Sequence, residues 1–228
     1  DQAGLAQFGY GQGVTIGDIN NDGFPDVFVA NVGGNRLLVN NGDGTFGDIT
    51  ENAGLKTAAW SVSGLLADLN GDTFPDLYVV NYLADEDVFR ASCPPGTPSR
   101  RPCGPGDFAA AQDRVFLNTG DGRFRDVTET SGIASSDGKG LGIVAVDFDG
   151  SGRLDLFVAN DTRANFFYRN RPARERGGLS LENIAMTSGV AFNAEGEPQG
   201  CMGIAVHDVN GDGKMDLFVT NYIGQPNT

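Results

Sequence analysis

GDINNDGFPDVFVAN, residues 17–31, places acids and amides at Asp18, Asn20, Asp22 and Asp26 and follows them at once with an apolar run, Val27–Ala30. Like charges are crowded where a buried strand is about to begin. The chain repeats the arrangement in ADLNGDTFPDLYVVN (67–81), VDFDGSGRLDLFVAN (146–160) and HDVNGDGKMDLFVTN (207–221). Counting the first Asp as one, positions one, three and five are Asp18, Asn20, Asp22; Asp68, Asn70, Asp72; Asp147, Asp149, Ser151; and Asp208, Asn210, Asp212. Position nine is Asp26, Asp76, Asp155 and Asp216. Position seven is Phe24, Phe74, Arg153 and Lys214, so only its backbone carbonyl can serve all four loops. Oxygen donors at every second position suit a hard cation, and Ca²⁺ takes six to eight oxygens in flexible geometry. Zinc would call for His or Cys, which the loops lack. Without metal, carboxylates about 4 Å apart repel by roughly 1–4 kcal/mol, depending on the local dielectric. Asx turns holding no metal are the alternative for a single loop; four copies favour about four Ca²⁺ ions. The Asp147 loop is expected to be weakest, because Ser151 replaces an acid.

Other calcium loops begin similarly but carry an acid at position twelve and run into a helix. Here position twelve is Val29, Val79, Val158 and Val219, and β-formers surround it. Between the acidic loops a second motif recurs: RLLVNNGDGTFGDITENAGL (36–55) matches RVFLNTGDGRFRDVTETSGI (114–133), with a degraded copy at 166–190. The apolar runs are four to seven residues long and bounded by Gly, Asn or Asp, which are strand and hairpin signals. Four short antiparallel strands per unit predict an all-β chain, a β-propeller of about three and a half four-stranded blades. The units are expected at 6–55, 56–133 (with an insertion at 83–113), 134–190 and 191–228. DQAGL (1–5) matches ENAGL (51–55), so it reads as the tail of a preceding blade's fourth strand. An open arc exposes pairing edges, and the expectation is a segment of a longer propeller or one that a partner completes.

Of the 30 acids, twelve lie in the four loops, and four Ca²⁺ would bring the formal charge from −14 to −6. Such an acidic surface repels nucleic acid and anionic lipid. No apolar run approaches the roughly 20 residues that span a bilayer. Cys93 and Cys103 bracket the Pro-rich loop CPPGTPSRRPC. A disulfide there would rigidify the insertion and favours an oxidising compartment; two unpaired thiols are the alternative. Cys201 stands where the other copies have Gly11, Ser61 and Gly140, and reads as a small packed residue. The segment RPARERGG (171–178) holds three of the sixteen basic residues, and with 83–113 it is where specific function is sought.

FGYGQGVTIGDINNDGFPDVFVAN resembles the FG-GAP/VCBS repeat of integrin-α-type β-propellers, and NNGDGTFGDITENAGL resembles the repeats of the cartilage acidic protein family. The resemblance covers essentially the whole chain. It implies seven-bladed rings, Ca²⁺ between the first two strands at the residues named above, and secreted or cell-surface placement. The function expected is an extracellular calcium-stabilised module for protein or glycan binding or surface assembly. The alternative is the propeller part of a polysaccharide lyase or dehydratase-type enzyme. The one histidine, His207, precedes a loop Asp and reads as a surface residue; no Ser–His–Asp set or P-loop is present.

Overall fold

The computed structural model describes residues 2–5, 9–84, 88, 90–93, 103–133 and 137–228. The interior of the cysteine loop, 94–102, and the expected unit boundaries at 6 and 134 lie outside the described residues. The chain forms a partial β-propeller. Its first blade comprises β1 (Tyr10–Gly17), β2 (Asp26–Gly34), β3 (Arg36–Asn40) and β4 (Phe46–Asp48), each antiparallel to the next. The second comprises β5 (Ala58–Ala67), β6 (Asp76–Asn81), β7 (Arg114–Asn118) and β8 (Phe124–Asp126). The third is β9 (Gly140–Val146), β10 (Asp155–Asn160), β11 (Phe166–Arg171) and β12 (Ser180–Asn183). A last hairpin pairs β13 (Cys201–His207) with β14 (Asp216–Asn221). Blades one and two are also stitched by a short ladder in which Val32, Gly33 and Gly34 face Trp60, Ala59 and Ala58.

The core lies between blades. Phe28, Leu37, Leu77, Val79 and Phe116 fill the first junction, and Tyr78, Val80, Leu117, Leu156 and Tyr168 the second. The second strands of blades two and three, β6 and β10, are therefore covered on both faces and buried throughout. This accounts for their continuous apolar sequence. First strands pack so closely that a Cβ on Gly140 would lie 2.2 Å from the Val80 side chain. At the two ends of the arc, Val14 and Ile16 on β1, and Val209, Phe218 and Ile223 around β14, are exposed.

The segments after the fourth strands differ from the strand tails expected. Residues 50–54 are turn, and Thr128–Ser131 form a one-turn helix, α1, that ends at Gly132 with φ +98°. The cause is an Asp-x-Thr turn. The Asp48 carboxylate accepts the Thr50 N–H and hydroxyl, while Thr50 Oγ1 takes the Leu37 N–H at 2.8 Å. Asp126 and Thr128 repeat this around Val115 N. Such local side-chain bonds compete with strand continuation. Residues 2–5 sit on blade one as 52–55 sit on blade two: Ala3 O accepts from Phe46 N, and Ala53 O from Phe124 N.

The insertion leaves β6 and rejoins β7, and its base is zipped by Ala84 N to Ala109 O and Ala111 N to Tyr82 O. Cys93 and Cys103 form a disulfide, and Cys201 is buried at the start of β13. A 3-10 turn, Pro105–Asp107, lies over blade three, where the fully buried Lys139 ammonium donates to Pro105 O.

A repeated clasp closes each second strand. Asn31, Asn81, Asn160 and Asn221 donate their backbone N–H to the side chains of Asn35, Asp113, Asn165 and Asn227. Asp113 is the one acid in this set. It also accepts the Tyr78 hydroxyl at 3.0 Å and is 3% exposed. Burial pushes its carboxyl up to about 7, against the lowering pull of the Asn81 N–H and the Tyr78 hydroxyl. Its folded value lies above the roughly 3.9 of an unfolded Asp. Stability from this group is therefore complete below about pH 4 and is lost as pH rises through 7, at up to about 1.4 kcal/mol per pH unit. Asp113→Asn, which installs the residue of the other clasps, is expected to flatten this fall. Thermal melts from pH 5 to pH 8 in saturating calcium check it; an unchanged slope refutes the assignment.

Candidate metal centres

Each acidic loop closes a hairpin between a blade's first two strands, and the four loops have one hydrogen-bond plan. In the first, Asp18 turns inward and accepts the N–H groups of Asp22 (3.1 Å) and Gly23 (2.8 Å). Asn20 Oδ1 also accepts from Asp22 N, and Asp22 from Phe24 N. Asp68, Asn70 and Asp72 repeat this with the N–H groups of Asp72, Thr73 and Phe74. Asp208, Asn210 and Asp212 do so with Asp212, Gly213 and Lys214. In the third loop Asp147 and Asp149 accept from Ser151 N, Asp147 accepts from Gly152 N, and Ser151 Oγ takes the Arg153 N–H at 3.4 Å. Residue six has positive φ in every loop: Gly23, Thr73, Gly152 and Gly213. Thr73, at φ +78°, is β-branched in a region such residues rarely enter. At position seven, Phe24 and Phe74 lie against Gly42 and Gly120 of the β3–β4 turns, which places those turns beside the acidic loops.

Position nine is more than a ligand candidate. Asp26, Asp76 and Asp155 are fully buried, and each clamps two backbones. Asp26 accepts from Ile19 N (2.9 Å) and Asn40 N (2.8 Å), and Asp76 from Leu69 N (3.0 Å) and Asn118 N (2.9 Å). Asp155 accepts from Phe148 N (3.4 Å) and Asn170 N (2.8 Å). Asp216 accepts from Val209 N alone among the described bonds. Burial raises the Asp26 and Asp155 carboxyls and pushes Asp76 up to about 7, while the backbone N–H groups pull the other way.

The asparagine at or beside the end of each third strand is a further structural residue that the reading of the acidic loops does not single out. Asn118 Nδ2 donates to Ile19 O of the preceding blade (2.7 Å) and to Pro75 O (3.1 Å). Asn170 likewise joins Leu69 O of the preceding blade (2.7 Å) to Leu154 O (3.1 Å). Among the described residues, Asn40 Nδ2 donates to Pro25 O and its Oδ1 accepts from Gly42 N, both within its own blade. The signal was present in the repeat itself, as the shared Asn of RLLVN, RVFLN and FFYRN.

The loops differ in how their carboxylates converge. One oxygen each of Asp147, Asp149 and Asp155 lie within 4.8 Å of one another, which no other loop's acids do among the described residues. Every loop nevertheless has three carboxylates, because Asp149 stands in for the acid missing at Ser151. Asp149 is also paired with Arg169 at 3.3 Å, so a competing cation already sits on one donor. The donor chemistry fits a hard divalent ion: oxygen only, on a loop prefolded by its own N–H groups. Asp107 lies near Cys93 and Cys103, but both sulfurs are held in the disulfide. His207 is exposed at the end of β13, opposite Asp216.

The profile of FG-GAP-like repeats matches residues 5–79, 87–158 and 147–219. Cartilage acidic protein 1 of Mus musculus is 29% identical over 96% of this chain and 30% of its own length. The Homo sapiens protein is also 29% identical, over 96% of this chain and 29% of its own length. The chain thus spans under a third of the curated relatives it matches. Among solved structures, an Agrocybe aegerita lectin described as recognising non-reducing terminal N-acetylglucosamine overlays 90% of this chain and 46% of its own, at 18% identity and a TM-score of 0.44.

Two substitutions test the loop architecture. Asn118→Ala strands the Ile19 carbonyl and is expected to cost about 1–3 kcal/mol. Asn40→Ala, which spans no blade junction, should cost clearly less; equal losses in denaturant melts would remove the staple. Thr73→Gly relieves the positive φ and should raise the melting temperature, by the equivalent of about 0.5–1 kcal/mol.

Proposed function

The chain belongs to the FG-GAP-like repeat family, and from that premise we propose that it is an extracellular, calcium-stabilised propeller module that binds protein or glycan or takes part in surface assembly. The observation that carries this reading is the recurrence of one prefolded, oxygen-only loop at the same place in four hairpins. The ligands would be the side chains at positions one, three, five and nine and the carbonyl at position seven. In the four loops those carbonyls belong to Phe24, Phe74, Arg153 and Lys214.

Bound Ca²⁺ would supply positive charge among carboxylates that otherwise repel. The chain's own residues do the rest. The backbone N–H groups orient Asp18 and its counterparts, and Asp26, Asp76 and Asp155 tie their loops to the third strand. The Asp147 loop would be weakest, since Arg169 competes for Asp149 and Ser151 brings no charge. The Cys93–Cys103 disulfide supports an oxidising, extracellular setting. No helix among the described residues is long and apolar enough to cross a membrane. The exposed apolar side chains at the ends of the arc support burial against further blades or a partner.

Thermal unfolding with and without chelator tests the reading. With free Ca²⁺ tenfold above Kd, each site adds roughly 1.4 kcal/mol. Four sites are a large share of a domain stability of about 5–15 kcal/mol. The melting temperature should therefore drop by many degrees in chelator and recover on adding Ca²⁺; an unmoved transition sinks the proposal. Calorimetric titration should count about four ions, the weakest of them lost in Asp147→Ala.

A further inference from the structure

The junction between blades one and two holds a groove of about 780 Å³, beside the base of the insertion and at the end of the strands opposite the acidic loops. That volume lies within the roughly 300–1,000 Å³ of ligand clefts. Phe116, buried, contributes apolar lining, and Trp60, the protein's single tryptophan, lines it as well. Trp60 is fixed by an edge-to-face contact with Tyr82 at 5.4 Å, and the Tyr82 hydroxyl donates in turn to Asp161 of blade three at 2.5 Å. Among the described residues, Lys56, Arg114 and Asp126 supply the groove's charged groups.

The groove is particular to this junction. At the next one, the first residue of the third strand is Phe166 instead of Arg114, and it fills the space: a Cβ on Gly138 would lie 2.3 Å from its ring. Lys139 takes the place of Trp60 there and is fully buried. At the third junction Gly200 precedes the first strand where Trp60 stands, and the cleft is 310 Å³. The opening thus depends on Arg114 turning outward to Asp126, at 2.8 Å.

We infer that this groove binds a neutral oligosaccharide, with a sugar ring stacked on Trp60 and its hydroxyls held by Arg114, Asp126 and Lys56. The inference rests on the binding-module reading and names its ligand class. An indole presents a broad apolar face with a quadrupole that suits the C–H face of a pyranose. Arg114 spends one Nη on Asp126 and carries five N–H donors, and Lys56, paired with Glu51 at 3.1 Å, carries three. Sugar hydroxyls can accept from these donors and donate to Asp126. Both cations already have carboxylate partners, so the groove offers little net positive charge to an anion. The chain's formal charge of −14 further opposes an acidic glycan.

Trp60 is its own reporter, since no other indole contributes to the emission. The calcium-loaded chain is titrated with cellotetraose, maltotetraose, mannotetraose and chitotetraose, and with tetragalacturonate as the anionic arm. A saturable change in Trp60 emission with at least one neutral tetraose is expected, weakened at least tenfold in Arg114→Ala and in Arg114→Lys. In Trp60→Phe, calorimetry should show the same loss. No saturable response to any neutral sugar, equal affinity in both Arg114 variants, or tighter binding of tetragalacturonate overturns the inference. Each variant is first shown to keep the calcium-dependent melting shift of the parent. That shift tests the scaffold reading alone, so a sugar-blind protein with an intact shift loses the groove assignment and keeps the scaffold.

Discussion

One residue in each of the first two blades carries a disproportionate share of the fold: the second residue of the acidic loop. Its N–H is held by the buried aspartate at position nine, and its carbonyl by the asparagine ending the next blade's third strand. Its side chain, Ile19 or Leu69, is meanwhile sunk in the interblade core. Loop geometry, third-strand registry and blade packing therefore meet at one backbone position. A buried carboxylate is costly unless it is hydrogen-bonded, and Asp26, Asp76 and Asp155 meet that cost with two backbone donors each. This is why acids can stand directly before a strand that is covered on both faces.

Much of this was legible in the sequence because the repeat made it so. Strand order, the β-propeller class and the hairpin location of the acidic loops follow from turn chemistry and apolar runs recurring at matching offsets. The disulfide was also foreseen as one of two options, and the structure forms it. Family membership rested on the same motifs. What stayed hidden was relational. Nothing local marks Asn118 or Asn170 as crossing a blade junction, because their acceptors lie 99 and 101 residues away. The strand tails depart from the apolar pattern because Asp48–Thr50 and Asp126–Thr128 turn the chain with side-chain bonds that such a pattern does not register.

The candidate site was legible in its donors and less so in its differences. Ser151 drew attention as a missing acid, yet the neighbouring Asp149 restores the count and brings three carboxylates together. What distinguishes that loop is Arg169, a residue on the third strand that no reading of the loop alone would include. Likewise, whether a junction is open or filled turns on one residue, Arg114 or Phe166, at the start of a third strand. The acidic-loop end of the blades is uniform, while the opposite end varies from junction to junction. In propellers built this way, variation of that kind can alter recognition without disturbing the frame.

The asparagine staple has a consequence for how such an array holds together. Blades one and two each depend on the following blade for a hydrogen bond inside their own acidic loop, so the units are not independently stable bodies set side by side. They behave as a one-dimensional chain with nearest-neighbour coupling, in which ordering any loop favours ordering the next. A stabilising event at one hairpin is thus felt one blade along, through Asn118 or Asn170, without any change of shape. Fraying should in turn begin at the β13–β14 hairpin, where Val209 is 77% exposed and only the clamp from Asp216 restrains it among the described bonds.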